Sequence, residues 1–254
     1  MHNIILILSV FLASIVEAVE ALTIVLAVGT TRGWRSTWYG VVAAILTLSL
    51  FVSILGPALT LIPINALRLV VGGLLLIFGL QWLRKAVLRA SGFKPLHDEV
   101  VIFTKFKNEA KKVKKYDRKG IIDDWYSFTI AFKSVLLEGL EIAFIVLTFG
   151  VNQGSISLAI LAAVIAIFTV VIVGFKVHRP LSKLPENSLK FVVGIMLTSF
   201  GIFWGAEGAG VHWPGSDFAL FGIIVWISLT STLQVKWLRQ RKKINSKSMK
   251  TSNI

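Results

Sequence analysis

A chain of 254 residues, 55% of them hydrophobic and only 16% charged, with a mean hydropathy of +0.77, is too apolar for a domain dissolved in water. The net charge of +14 does not describe a nucleic-acid footprint, because the Lys and Arg residues sit in the gaps between apolar runs and at the C-terminus, so no nucleic-acid partner is expected. The absence of cysteine excludes disulfides, thiolate ligands and thiol relays, and leaves oxygen or imidazole as the donors for any metal.

The apolar runs are continuous and show no period-two alternation, which predicts membrane-spanning helices and an all-α fold. In chain order the predicted spans are residues 4–29, 38–61, 66–88, 125–150, 155–177, 188–209 and 217–237. The first opens Met1-His2-Asn3 and is interrupted by Glu17 and Glu20, so it reads as a retained helix, not a secretory signal. Pro57 and Pro63 bracket the turn between the second and third spans. Asn65 and Asn187 follow Pro63 and Pro185 at matching helix starts and read as caps. Trp34, Trp38, Trp82, Trp125, Trp213 and Trp237 fall near span ends and read as interfacial anchors.

Basic residues follow spans one, three, five and seven: Arg32 and Arg35, the set from Arg84 to Lys119, then Lys176, Arg179, Lys183 and Lys190, then the tail. The opposite side holds only Arg68, and segments 151–156 and 210–216 have no Lys or Arg. A multi-pass protein of the plasma membrane with its N-terminus outside and its C-terminus cytoplasmic is expected. Between spans three and four, Phe103, Phe106, Ala110 and Val113 recur at helical spacing among lysines, predicting a basic amphipathic helix on the anionic inner leaflet of the bilayer.

Spans one and four align without a gap. Glu138 follows Glu17, and Glu141 follows Glu20, by the same 121 positions, and Phe11/Phe132, Gly29/Gly150 and Gly33/Gly154 match at that offset. Spans three and six align at 122: Pro63/Pro185, Asn65/Asn187, Gly72/Gly194, Gly79/Gly201 and Trp82/Trp204. Three spans per repeat is an odd number, so the second repeat enters the membrane from the other side and the two form an inverted pair. The domain reading is repeat one at 1–90, a basic cytoplasmic loop at 91–124, repeat two at 125–210, a seventh span at 211–237 outside the repeat, and a basic cytoplasmic tail at 238–254.

Glutamates at i and i+3 share one helix face. Both pairs, Glu17/Glu20 and Glu138/Glu141, fall near the centres of their spans, and an in-plane two-fold axis would bring the four carboxylates to one midplane site. Each acidic residue at a helix centre costs roughly 3 kcal/mol, so protons or a cation must offset the group. Lys133 is the only basic residue inside spans one or four and lies toward the cytoplasmic end. A purely structural role would instead have these carboxylates bonding Ser14, Thr23 or Ser134. Farther out, Glu207 with His212 and Asp217 forms a candidate entry site.

Paired acidic motifs on spans one and four resemble those of the oxidase-coupled iron permeases, whose signature is Arg-Glu-x-x-Glu. Glu138-Gly139-Leu140-Glu141 matches its last four positions, Glu17-Ala18-Val19-Glu20 is the degenerate partner, and Val16 and Leu137 stand where the permeases carry Arg. The three-span repeats also resemble the lysine exporter superfamily and an uncharacterised prokaryotic membrane family. The resemblance implies transport of iron or another divalent metal ion, and the missing arginines leave metals other than ferric iron open. On this reading the metal is a transported substrate and no cofactor is expected. The alternatives are a proton-coupled exporter of an amino acid or organic cation and a non-transporting scaffold. No nucleophile–base set, phosphate-cradling loop or cofactor fingerprint lies outside the spans, so no enzyme activity is expected. Assembly as a homo-oligomer is left open.

Overall fold

The computed structural model describes residues 2–114, 120–177 and 186–251, which hold α1 (His2–Arg32), α2 (Trp34–Thr60), α3 (Ile64–Ala90), α4 (Glu99–Lys112), α5 (Trp125–Asn152), α6 (Ile156–Val177), α7 (Glu186–Gly208) and α8 (Phe218–Thr251). No strand occurs among the described residues. Seven of these helices are long and apolar enough to cross a membrane: all except α4, which is short and basic. The protein is an all-α polytopic membrane protein. Arg179, Lys183, Pro185 and Lys119, used above for topology and the repeat, lie outside the described residues.

The largest difference in helix bounds is at the C-terminus. The last span was expected to end at 237, but α8 continues to Thr251. Residues 238–251 contain no Gly or Pro, and Lys and Arg are good helix formers that favour the negative end of the helix dipole.

The chain divides into two compact units, Met1–Leu61 with Asp98–Leu184, and Ile62–His97 with Pro185–Ile254. The first two spans of each sequence repeat therefore belong to unit 1, with α4, and the third spans belong to unit 2, with α8.

Unit 2 is built on an antiparallel α3–α7 seam. Gly72 lies against Gly205, Leu76 against Gly201, Gly79 against Thr198 and Leu83 against Gly194, so each step along one helix is the same step back along the other. Shifting the pair Gly72–Gly205 by the repeat offset yields Gly194–Leu83, and Gly79–Thr198 yields Gly201–Leu76, so exchanging the two helices reproduces the seam. That is the local two-fold relation expected of equivalent spans running in opposite directions. The glycines permit this approach because a Cβ at Gly72, Gly79 or Gly201 would overlap backbone atoms of the facing helix.

Three expectations are corrected in unit 2, the first being that Asn65 lies inside α3, whose N-cap is Pro63 with no side-chain cap bond. Trp82 is buried in the seam with Lys190 Nζ 5.6 Å from its ring centroid, so it is a packing residue and not an exposed anchor. Asn187 does not cap its own helix: Nδ2 donates to the His97 carbonyl at 3.1 Å and Oδ1 accepts from the His97 N–H at 3.2 Å, clasping the loop after α3.

In unit 1, α5 packs in parallel with α2, with Gly40 against Phe128, Leu48 against Gly139 and Gly56 against Leu147. On the equivalent side α6 packs on α1, where Val170 joins Ala18, Val19, Leu22 and Leu26 in one buried cluster. The turns that end α1 and α5 both require a left-handed residue, Gly33 at φ +116° and Gly154 at φ +62°, which explains why this glycine recurs in the repeat.

Candidate metal centre on the α1–α5 seam

Residues 4–28 contain neither Gly nor Pro, so α1 passes through its acidic pair without a break. It runs antiparallel to α5: Arg32 meets Asp124 at one end of the seam, and Glu17 lies level with Glu138 and Glu141 midway. Each of these three glutamates offers a carboxylate oxygen within 4.8 Å of the others. Glu17 is 1% exposed, and Glu138 and Glu141 are half-buried. Among the described residues this is the one group of three or more His, Asp or Glu side chains so close together. Glu20, one turn on from Glu17 and half-buried, is not part of the triplet.

The residue between the acidic positions has a packing role. Gly139 faces Leu48 of α2, and its counterpart Ala18 lies in the cluster with Val170 of α6. The small second residue of each motif is therefore the point at which the neighbouring helix crosses, and it holds the adjacent glutamate one residue away from that crossing, toward the α1–α5 seam.

The basic and hydroxyl side chains singled out in the sequence are not placed as partners of the carboxylates. Lys133 is exposed. The hydroxyls of Ser14, Thr23 and Ser134 are buried and make no hydrogen bond, so they are not the glutamates' partners. Three carboxylate donors, one buried and two half-buried, match the hard-cation preference for oxygen ligands. They would bring up to three negative charges together, an arrangement stable only with protons or a cation present.

No protein-family model, curated protein or solved structure matches the chain.

The other candidate group does not assemble in this way. Glu207 forms an ion pair with Arg68 at 3.3 Å within the α3–α7 pair, and His212 and Asp217 are exposed and belong to no ligand group among the described residues. The pairing is not repeated by symmetry. The equivalents of Arg68 and Glu207 are Lys190 and Lys85, which cannot form a salt bridge, and Lys190 lies over Trp82 instead.

A polar node that the sequence reading missed closes the end of the α1–α5 seam. Arg32 Nε and Nη2 donate to Asp124 Oδ2 and Oδ1, at 2.5 and 3.2 Å, with side chains 5% and 7% exposed. Arg32 Nη1 donates to the carbonyls of Ala110 and Val113, both at 2.7 Å, and its guanidinium lies 5.1 Å from the Tyr126 ring centroid. Asp124 also caps α5 by accepting from the N–H groups of Tyr126 and Ser127, accepts from Ser127 Oγ, and donates its own N–H to Ser36 Oγ. Burial alone would raise the Asp124 carboxyl, but the bonds from Arg32 and Ser127 and the charge of Arg32 hold it below the usual carboxylate range.

Through these contacts α4 is fastened to α1. Part of its apolar face packs on protein: Ala110 is fully buried and Phe103 lies against the α1–α6 cluster, while Val113 is exposed. Asp98 caps the helix by accepting from the N–H groups of Val100 and Val101. The only trace of the node in the sequence is Asp124 immediately before an apolar run, a cap signal; its partner lies 92 residues earlier.

Proposed function

We propose that this protein is an integral membrane transporter of iron or another divalent metal ion, carried through a site formed by Glu17, Glu138 and Glu141, with Glu20 one turn away on the approach. The observation that carries this reading is the convergence of the three carboxylates within 4.8 Å on the seam between two antiparallel, repeat-related helices. A bound dication offsets the repulsion that otherwise favours protonation, and protons replace it when it leaves. Alternating exposure of the site to the two membrane faces moves the ion, as in other transporters with inverted repeats. The resemblance of Glu138-Gly139-Leu140-Glu141 to the iron-permease motif supports a metal, and Val16 and Leu137 in place of Arg keep metals other than ferric iron in the candidate set. The distribution of Lys and Arg supports a plasma-membrane location with the N-terminus outside and the basic ends near an anionic inner leaflet.

The test is uptake of Fe2+, Mn2+ and other divalent ions into liposomes holding the purified protein, alongside the Glu17→Gln and Glu141→Gln variants. Loss of uptake in both variants is expected. Unchanged transport of every metal tried would refute the proposal, and thermal stabilisation by amines but not by metals would favour an organic-cation exporter.

A further inference from the structure

A hydroxyl buried in an apolar helix normally bonds the carbonyl one turn back, because nothing else is within reach. Two buried threonines follow that rule, Thr148 bonding Ile145 O in α5 and Thr198 bonding Gly194 O in α7, and the more exposed Thr30 and Thr31 of α1 likewise bond Leu26 O and Ala27 O. Four buried Ser or Thr hydroxyls among the described residues make no hydrogen bond: Ser14, Thr23, Ser134 and Ser199. Three of the four stand one turn from a motif glutamate, since Ser14 precedes Glu17 by three residues, Thr23 follows Glu20 by three, and Ser134 precedes Glu138 by four. Those spacings place each hydroxyl on the same helix face as its glutamate.

The three are buried beyond the reach of bulk water, at 0%, 1% and 6% exposure. Their position along the seam is ordered. In the antiparallel pair, Thr23 and Ser134 both lie from the acidic group toward the Arg32–Asp124 end, and Ser14 lies on the other side. Leaving a buried hydroxyl unbonded is unfavourable, and two such groups one turn from triplet glutamates, with a third one turn from Glu20, indicate a ligand that completes them.

We infer that Ser14, Thr23 and Ser134 are neutral oxygen ligands for the cation, coordinating it directly or through one retained water at the acidic group and on its approaches from both sides. This rests on the cation reading of the glutamates and extends it. Carboxylates alone would hold a hard dication tightly and release it slowly, whereas neutral hydroxyls supply coordination without adding charge. They replace water as the ion enters or leaves. A donor set made only of carboxylate and hydroxyl oxygen selects Mn2+, Fe2+, Mg2+ or Ca2+ over thiophilic ions.

The experiment measures Mn2+ binding to the purified full-length protein in detergent by calorimetry, together with the melting temperature without metal, for Ser14→Ala, Thr23→Val, Ser134→Ala and Glu17→Gln. Each hydroxyl deletion is expected to weaken Mn2+ binding on the order of tenfold. It should leave the melting temperature without metal unchanged or raised, because an unbonded polar atom has been removed. Glu17→Gln abolishes binding. If Glu17→Gln abolishes binding while all three hydroxyl variants bind as the parent does, the hydroxyl assignment is wrong and the metal site stands. If Glu17→Gln binds normally, both fall. A hydroxyl variant that melts lower without metal marks that residue as a structural partner and removes it from the set.

Discussion

Replacing Arg32 with Met tests the polar node at the end of the α1–α5 seam. The substitution keeps a long, flexible apolar stem but leaves the Asp124 carboxylate buried without its counter-charge, and frees the carbonyls of Ala110 and Val113 that Arg32 Nη1 had bonded. Removing one partner of a buried, hydrogen-bonded ion pair costs about 3–5 kcal/mol, which for a chain of this size lowers the melting midpoint by on the order of 10 °C. Asp124→Asn retains an N-cap for α5 but strands the guanidinium, so it should lose a similar amount. The double variant should be less destabilised than the two single losses combined, because no lone charge remains. The assay is thermal unfolding in detergent followed by circular dichroism. The pH dependence has a defined sign. The Asp124 carboxyl is held below its ordinary value in the folded chain, so its contribution is complete above about pH 4 and disappears as the pH falls through the lower folded value. Asp124→Asn should therefore lose less stability than the parent between neutral and strongly acidic conditions. Single variants that melt with the parent, or a double variant that shows full additivity, would refute a coupled buried pair.

Close packing at the two seams separates soft from rigid neighbours. Gly72→Ala places a methyl group on the backbone of Gly205 and should cost about 1–3 kcal/mol in thermal unfolding. Gly139→Ala meets only the tip of the Leu48 side chain, which can rotate, so it should melt close to the parent because Ala favours the helix by up to about 1 kcal/mol. Gly139→Leu, which cannot be accommodated by a rotation, should lose metal uptake in liposomes while Gly72→Ala, if folded, retains it. The Arg68–Glu207 pair is partly exposed, with side chains 33% and 21% accessible, so a double-mutant cycle should return no more than about 1 kcal/mol and uptake by Glu207→Gln should equal that of the parent. Asn187→Ala removes both bonds to the His97 backbone and should raise hydrogen exchange in residues 94–98 without altering metal binding.

The sequence by itself determined that this protein is made of membrane-spanning helices, how many long apolar segments it has, and which residues are chemically out of place inside them. Those features follow from local rules: a bilayer requires continuous apolar helix, and a glutamate within such a run stands out against it. The repeat was readable too, since Gly33 and Gly154 serve the same left-handed turn and Gly72 and Gly194 the same close approach. Tertiary structure alone decided that Glu17, Glu138 and Glu141 form one group while Glu20 stands outside it, because small differences in helix rotation select which carboxylates meet. It also decided that Trp82 is buried, that Asn187 clasps a loop, that α4 packs on α1, and that Arg32 finds Asp124. Each of these outcomes depends on which helix faces pack together across long stretches of chain, and neither composition nor periodicity encodes that pairing.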